Sequence, residues 1–366
     1  MKFLISGYTG LGNFILKTPM IARIKELYPE AIVDVIAGNS YGTQYILKEN
    51  DLIDRIHLLS PDASVKEKIS FFRKMKALGY SALFLPFDAD PDFLFYGSYL
   101  AGIELRVRHI YDANPRKTLR LKPFSQHLWA PKTLNVPFLP GRHEIDLNFD
   151  LLEAFHNQPI VRNYNTIVQF DRDPSVLEKF NLKQNQYILI QPGAANGEVD
   201  IKSWKPENFI QLINKLTSEY GETIVLAGDT GDNERFVKPI LSNLSNTEKV
   251  INTAGQTNIP NLCNLIENAA VVICHDSGIM HIADALYRPL IALYGPTDYT
   301  RTRPLKADSH ILFAKNDYFA AMYNFRYSVA ELSRISKNQN LLEGISVEDV
   351  LAEYHILRPT PKIASR

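Results

Sequence analysis

Short apolar runs alternate with longer stretches in which apolar positions return every three or four residues, almost from end to end of this chain. The runs Lys2–Ser6, Ala31–Ala37, Ile53–Leu58 and Ser81–Pro86 predict strands. Between them, Phe14–Leu27 and Val65–Leu78 carry the helical period. Strand and helix in alternation imply parallel βαβ units. The pattern loosens over Asn114–Pro140, which is rich in proline and basic residues, and tightens again at Glu144–Phe155, a predicted helix with Ile145, Leu147, Leu151 and Leu152 as its apolar positions.

A second series then begins. Tyr187–Gln191, Thr223–Ala227, Lys249–Asn252, Ala269–Cys274 and Leu290–Tyr294 predict strands, and Pro206–Leu216, Asn233–Leu241, Pro260–Asn268 and Ser277–Leu286 the helices between them. No sequence repeat is visible, but the architecture repeats: two successive doubly wound α/β halves, joined near the polar segment His156–Val168. The expected organisation is an N-terminal Rossmann-like domain over 1–160, a C-terminal one over 161–344, and a last helix within 345–366 that packs back towards the N-terminal domain. Ser346 is its predicted N-cap, with Glu348 and Asp349 in the first turn. Asp308–Gly344 is aromatic and mixed, and is expected to cover one domain face.

In open parallel sheets, ligands bind beyond the carboxyl ends of the strands. Two such domains facing each other would form an interdomain cleft lined by the loops that follow the strands. Bulk chemistry narrows what such loops serve. Lys+Arg and Asp+Glu both number 40 in 366 residues, which argues against bulk binding of nucleic acid. Cys263 and Cys274 lie in apolar surroundings without metal-ligand spacing, and read as buried, reduced thiols of a cytoplasmic protein. No segment approaches the roughly 18 apolar residues of a membrane span, so any membrane contact is expected to be peripheral, on the cytoplasmic face of the inner membrane.

Four loops carry candidate chemistry. In VVICHDSGIMHIADALYRPLIALYGPTD, a strand ends at Cys274 and His275-Asp276-Ser277-Gly278 turns into a helix. Gly278 lets a ligand approach the backbone, the first helical turn favours an anion, and His281 lies one turn further in. Gly295-Pro296-Thr297 follows the next strand. Asp276 or Ser277 as a helix cap is the plainer reading of each residue alone; the pair of loops favours a phosphate-bearing ligand. In LIQPGAANGEVDIKSWKPENF, the Gly193 loop leads to Lys202, suited to a diphosphate, and to Trp204, more readily a packing anchor; Pro206 opens a helix. In VLAGDTGDNE, Asp229, Asp232 or Glu234 can accept hydrogen bonds from ribose, or cap the next helix. In FLPFDADPDF, Asp88, Asp90 and Asp92 include a D-x-D spacing, a very short metal motif that also fits a capped, solvated loop. A basic cluster, Arg106, Arg108, Arg116, Lys117, Arg120 and Lys122, is either a solvated loop or the partner of an acidic acceptor.

Read together, GLGNFILKTPMI, QPGA with KSW and PENF, GDTGDNE, AGQTNIPNLCNLIENAAVVICHDSGIMHIADAL and ALYGPT resemble glycosyltransferase family 9, the ADP-heptose:lipopolysaccharide heptosyltransferases, over residues 1 to about 300. ISVEDVL resembles the family's final helix. The resemblance implies the GT-B fold, two Rossmann-like domains facing an interdomain cleft, with the acceptor on the first and the nucleotide sugar on the second. It implies an inverting, metal-independent transfer with no cofactor beyond the nucleotide-diphosphate sugar, ADP-heptose or another, and a glycan or lipid-linked glycan acceptor such as lipopolysaccharide core. By position, Gly193, Lys202, Asp276, Ser277, Gly278, His281 and Thr297 would hold donor phosphates and sugar, Glu234 the ribose, and Gly255-Gln256-Thr257 would lie near the base. Gly10, Gly12, Asn13, Arg116 and Arg120 would meet the acceptor.

One position departs from the family. Where an aspartate commonly follows the N-terminal glycine turn as general base, this chain has Asn13. An amide takes no proton. Three readings stay open: Asp88 or Asp90 replaces the base; Asn13 only positions the acceptor while Lys202 and the helix N-terminus stabilise the leaving diphosphate; or the chain binds without catalysing. A nucleotide-sugar epimerase on the same architecture is the alternative enzyme.

Overall fold

The computed structural model describes residues 1–38, 52–110, 132–194, 201–322 and 327–358. The chain divides into two compact units, Met1–Gln169 and Phe170–Arg366. The division therefore falls just past the polar joining segment, nine residues beyond the expected boundary at 160.

The first unit is a six-stranded parallel sheet. Its strands are β1 (Lys2–Ser6), β2 (Ile32–Ala37), β3 (Arg55–Leu58), β4 (Ala82–Leu85), β5 (Leu105–Ile110) and β6 (Thr133–Pro137), in the order β3-β2-β1-β4-β5-β6. Ile5 lies between Val35 and Phe84 in register. These central strands are buried on both faces, hence their continuous apolar runs. The second unit has β7 (Tyr187–Ile190), β8 (Thr223–Leu226), β9 (Val250–Asn252), β10 (Val271–His275), β11 (Leu290–Tyr294) and β12 (Ser309–Phe313), in the order β12-β11-β10-β7-β8-β9. Counted from its own first strand, this is the same winding. Both units are Rossmann-like, with a switch point between the first and fourth strands, β1/β4 and β7/β10.

β5 and the helix before it escape the apolar pattern. β5 reads LRVRHI, with arginines at alternate positions. Arg106 is nevertheless buried over the Tyr99 ring, 4.0 Å from its centroid, and donates to the Ile103 carbonyl at 2.9 Å. Arg108 lies over Phe95 and pairs with Asp90. These two belong to a strand, not a solvated basic loop; Arg116, Lys117, Arg120 and Lys122 lie outside the described residues. Before β5 runs the helix Asp92–Leu100, where a loop was the plainer reading, because FLFYGSYL has almost no polar face to mark a period.

The expected helix Phe14–Leu27 is two helices, Leu11–Ile15 and Thr18–Leu27. Pro19 accounts for the break: its ring would meet the carbonyl of Ile15, four residues back. Thr18 Oγ1 donates to that carbonyl at 2.7 Å, and Asn148 Nδ2 reaches the Leu16 carbonyl at 3.2 Å. The last helix, Val347–Leu357, starts at Ser346, whose side chain forms a capping box with Asp349. Its buried face, Val350, Leu351 and Tyr354, belongs to the second unit's core beside Leu212 and Ile224. Tyr354 donates to Glu222 at 2.7 Å. Cys263 and Cys274 are buried and form no disulfide.

Candidate functional site: two strand-end clusters

In the second unit, the loops after β7 and β10 lie side by side at the switch point. β10 ends at His275, fully buried, whose Nε2 accepts from the Trp204 backbone N–H at 3.0 Å and whose Nδ1 lies 3.2 Å from the Gly193 carbonyl. Burial pushes this imidazole down to about 4, so it is neutral at pH 7 and carries its proton on Nδ1. One side chain thus ties the strand to both segments of the β7 loop. Trp204 is the packing anchor expected: 1% exposed, edge-to-face on Phe209, with Nε1 bonded to the Ile345 carbonyl at 3.0 Å.

Lys202 arrives beside Asp276, Nζ to Oδ2 at 3.2 Å, both side chains largely buried. Burial alone would raise the Asp276 pKa. The Lys202 and His281 charges, with the hydrogen bond from Lys202, outweigh it and hold the carboxyl below its ordinary range. Thr302 adds a hydroxyl at 3.3 Å. Ser277 precedes the helix Gly278–Ala285 and donates to Gln191 Oε1 at 2.6 Å, so its side chain leaves the first-turn N–H groups to another acceptor. Cation, hydroxyls and helix N-terminus make a site for a phosphate-bearing anion. Gly193, Lys202, Asp276, Ser277, Gly278 and His281 follow β7 and β10, and Thr297 follows the neighbouring β11.

Glu234 does not join them. It is 56% exposed and pairs with Lys238 one turn on, at 2.6 Å. Asp232 sits inward instead, 1% exposed, with its carboxylate against two glycines. A Cβ on Gly193 would lie 2.1 Å from Asp232 Oδ1, and one on Gly228 2.6 Å from Asp232 Cβ. Arg235 Nη2 lies 3.8 Å from Asp232 Oδ1. Burial, then the charge of Asp229, raises the Asp232 pKa. The segment that carries it includes a π-helical turn, Asn233–Val237, a feature enriched at functional sites.

The first unit has its own cluster at β1/β4. After β1, Gly7–Gly12 turns the chain and Asn13 lies in the short helix Leu11–Ile15. Beneath it, Lys17 has no exposed side-chain surface; its Nζ reaches both Asp88 oxygens, at 2.7 and 2.8 Å, and the Asn13 carbonyl at 3.2 Å. Burial works to raise the Asp88 pKa, but the Lys17 charge and hydrogen bonds from Lys17 and Thr9 hold it below the ordinary carboxylate range. The β4 loop is fixed further by Phe87, whose N–H donates to His109 Nδ1 at 3.1 Å and whose ring stacks on Phe138 at 4.0 Å. Burial pushes His109 down to about 4. Both acids of the D-x-D spacing are therefore held by cations, Asp88 by Lys17 and Asp90 by Arg108. Asp88, so engaged and so acidic, is a weak base. Arg116 and Arg120 lie outside the described residues.

Lys17, His109 and His275 were not singled out in the sequence. Lys17 had a signal: it falls on the apolar stripe of Phe14, Ile21 and Ile24, where an unpaired lysine would be costly.

Two Rossmann-like units in succession, the second with a helix N-terminus and a largely buried lysine at its switch point, are the architecture of the GT-B fold. The family model of glycosyltransferase family 9 (heptosyltransferase) matches residues 124–324, and the chain belongs to that family. Among curated relatives, lipopolysaccharide heptosyltransferase 3 of Escherichia coli K12 is 25% identical over 359 residues, covering 95% of each chain. Lipooligosaccharide heptosyltransferase 2 of Haemophilus influenzae is 33% identical over 321 residues, covering 85% of this chain and 88% of its own. The solved structure of E. coli ADP-heptose LPS heptosyltransferase II superposes with a TM-score of 0.71 over 98% of each chain, at 21% identity.

Proposed function

We propose that this chain is an inverting, metal-independent heptosyltransferase that moves heptose from ADP-heptose to a lipopolysaccharide core on the cytoplasmic face of the membrane. The observation that carries the donor half is the Lys202–Asp276 pair beside the helix Gly278–Ala285, in a chain of family 9. The donor diphosphate takes the first-turn N–H groups and draws Lys202 from Asp276, which keeps Thr302 and the His281 charge as partners. Asp232 accepts from the ribose hydroxyls, the role first expected of Glu234.

In the transfer, the sugar–phosphate bond breaks with its electrons on ADP, and the acceptor oxygen bonds the anomeric carbon from the opposite face. Asn13 orients that hydroxyl. Its proton becomes acidic once the new bond forms and leaves to water, so the main electrostatic demand falls on the departing diphosphate. The cation-bound state of Asp88 and Asp90 supports this reading over a replacement base, and supports metal independence, since both acids already have cations.

ADP release, followed with ADP-heptose and a heptose-accepting core, tests the reading. Lys202→Ala is expected to lower kcat/KM on the order of 10²-fold; unchanged kinetics would remove Lys202 from the site. Chelator is expected to leave the rate intact, and a strict divalent-ion requirement would return Asp88 and Asp90 to a metal role. ADP-heptose turnover without acceptor would indicate an epimerase or hydrolase, and nucleotide-sugar binding without turnover a non-catalytic protein.

A further inference from the structure

We infer that the outer face of the helix Val65–Met75 is a docking surface for an anionic lipid bilayer. This helix crosses from β3 to β4 and buries Phe72 and Met75 in the first unit's core. Phe72 lies against Gly97 of the neighbouring helix Asp92–Leu100. The opposite face has charge and apolar surface in an arrangement the core does not need. Val65, Lys66, Ile69, Ser70, Arg73 and Lys74 line a single shallow hollow along it. Val65 is 74% exposed at its start, and Tyr96 and Leu100 of the neighbouring helix are 45% and 40% exposed.

The charge is one-sided. From Lys66 to Lys76 the chain carries Lys66, Lys68, Arg73, Lys74 and Lys76 against Glu67 alone, and Glu67 is engaged with Ser64 in the capping box. Lys66, Arg73, Lys74 and Lys76 are exposed, and no carboxylate among the described residues pairs with them. In a chain of zero net charge, this is a local field rather than a bulk property.

The shape selects a bilayer over a small anion. A phosphate site gathers buried donors on one point. Here the cations spread over about 15 Å of helix, at 1.5 Å per residue, along an open, shallow face with Val65 and Ile69 among them. Long basic side chains can reach headgroup phosphates while the apolar residues enter the interface. Val65 opens the helix, so the face begins at the carboxyl-end rim of the sheet, the rim that also bears the loops after β1 and β4. Enzyme held there would meet a lipid-linked acceptor at the surface that carries it. The surface itself rests on its own residues and not on the proposed reaction.

The test is co-sedimentation of the full chain with phosphatidylethanolamine vesicles containing about 30% phosphatidylglycerol, against pure phosphatidylcholine vesicles, with no donor or acceptor present. The wild-type chain is expected to pellet with the anionic vesicles, to stay in solution with the neutral ones, and to be released by high salt. The combined variant K66E/R73E/K74E is expected to lose vesicle affinity about ten-fold or more, and V65S/I69S to lose it at unchanged salt sensitivity. Circular dichroism and ADP binding of both variants are expected to match the wild type, which separates docking from folding. Equal sedimentation of the charge-reversed chain, or none by the wild type, would overturn the inference. A dimer in vesicle-free solution that the same variant dissociates would also overturn it, making the face a protein interface. Because no turnover is measured, failure here leaves the proposed reaction standing, and failure of that reaction leaves this result standing.

Discussion

A lysine with no exposed side-chain surface persists only where its charge is answered, and Asp88 answers Lys17 with both oxygens. Removing either partner strands the other. Lys17→Met and Asp88→Asn are each expected to cost about 3–5 kcal/mol, read as a fall in the denaturant midpoint, and the double variant less than their sum. Additive losses would mean that the pair is not coupled. Folded Asp88→Asn protein is expected to keep transferring, since the account gives this carboxylate a positioning role; intact folding with abolished turnover would make it the base. Sequence offered Asp88 as a candidate acid but not its partner, which stands 71 positions away. Local pattern marks Lys17 as a charge on an apolar stripe, and only the pairing of β1 with β4 says what neutralises it.

At the scale of elements, runs of uniform apolar character were legible and mixed ones were not. β1, β2, β7 and β11 show their burial directly in their residues. β5 hides its burial because its arginines lie over aromatic rings contributed by the preceding helix. The loop after β8 shows the same limit at the site. Asp229, Asp232 and Glu234 are equivalent acids in sequence; the turn at Thr230–Asp232 and the bare backbones of Gly193 and Gly228 send Asp232 inward. Its raised pKa has a consequence for stability. A carboxyl that holds its proton more tightly when folded stabilises the fold below its unfolded pKa of about 3.9, and that contribution is lost as pH rises through the folded value. At neutral pH the charged group therefore opposes folding until a ligand supplies donors. Asp232→Asn is expected to raise the thermal midpoint of the ligand-free protein by a few degrees at pH 7, with little gain near pH 4, and to weaken nucleotide-sugar affinity. A variant that loses stability at pH 7, or binds donor as the wild type does, would contradict this assignment.

Over the whole molecule, the two units repeat a winding and also a device. Each puts a lysine from beyond its first strand against an aspartate from beyond its fourth: Lys17 with Asp88, Lys202 with Asp276. The first pair is closed under a turn. The second lies beside an eight-residue helix whose first N–H groups can take phosphate. The doubly wound halves were legible because β–α alternation recurs twice, and Lys202 was legible as a loop cation; the lysine–aspartate pairings were not, because each depends on strands far apart in the chain. No described helix is long and apolar enough to cross a membrane. The most direct measurement is the mass of a heptose-accepting lipopolysaccharide core after incubation with the purified chain and ADP-heptose. The account predicts the addition of a heptose residue, inverted at the anomeric carbon, with stoichiometric ADP and loss of both in Lys202→Ala. An acceptor unchanged in mass across heptose-accepting cores, with protein that still binds ADP-heptose, would contradict the claim that this family member catalyses the transfer.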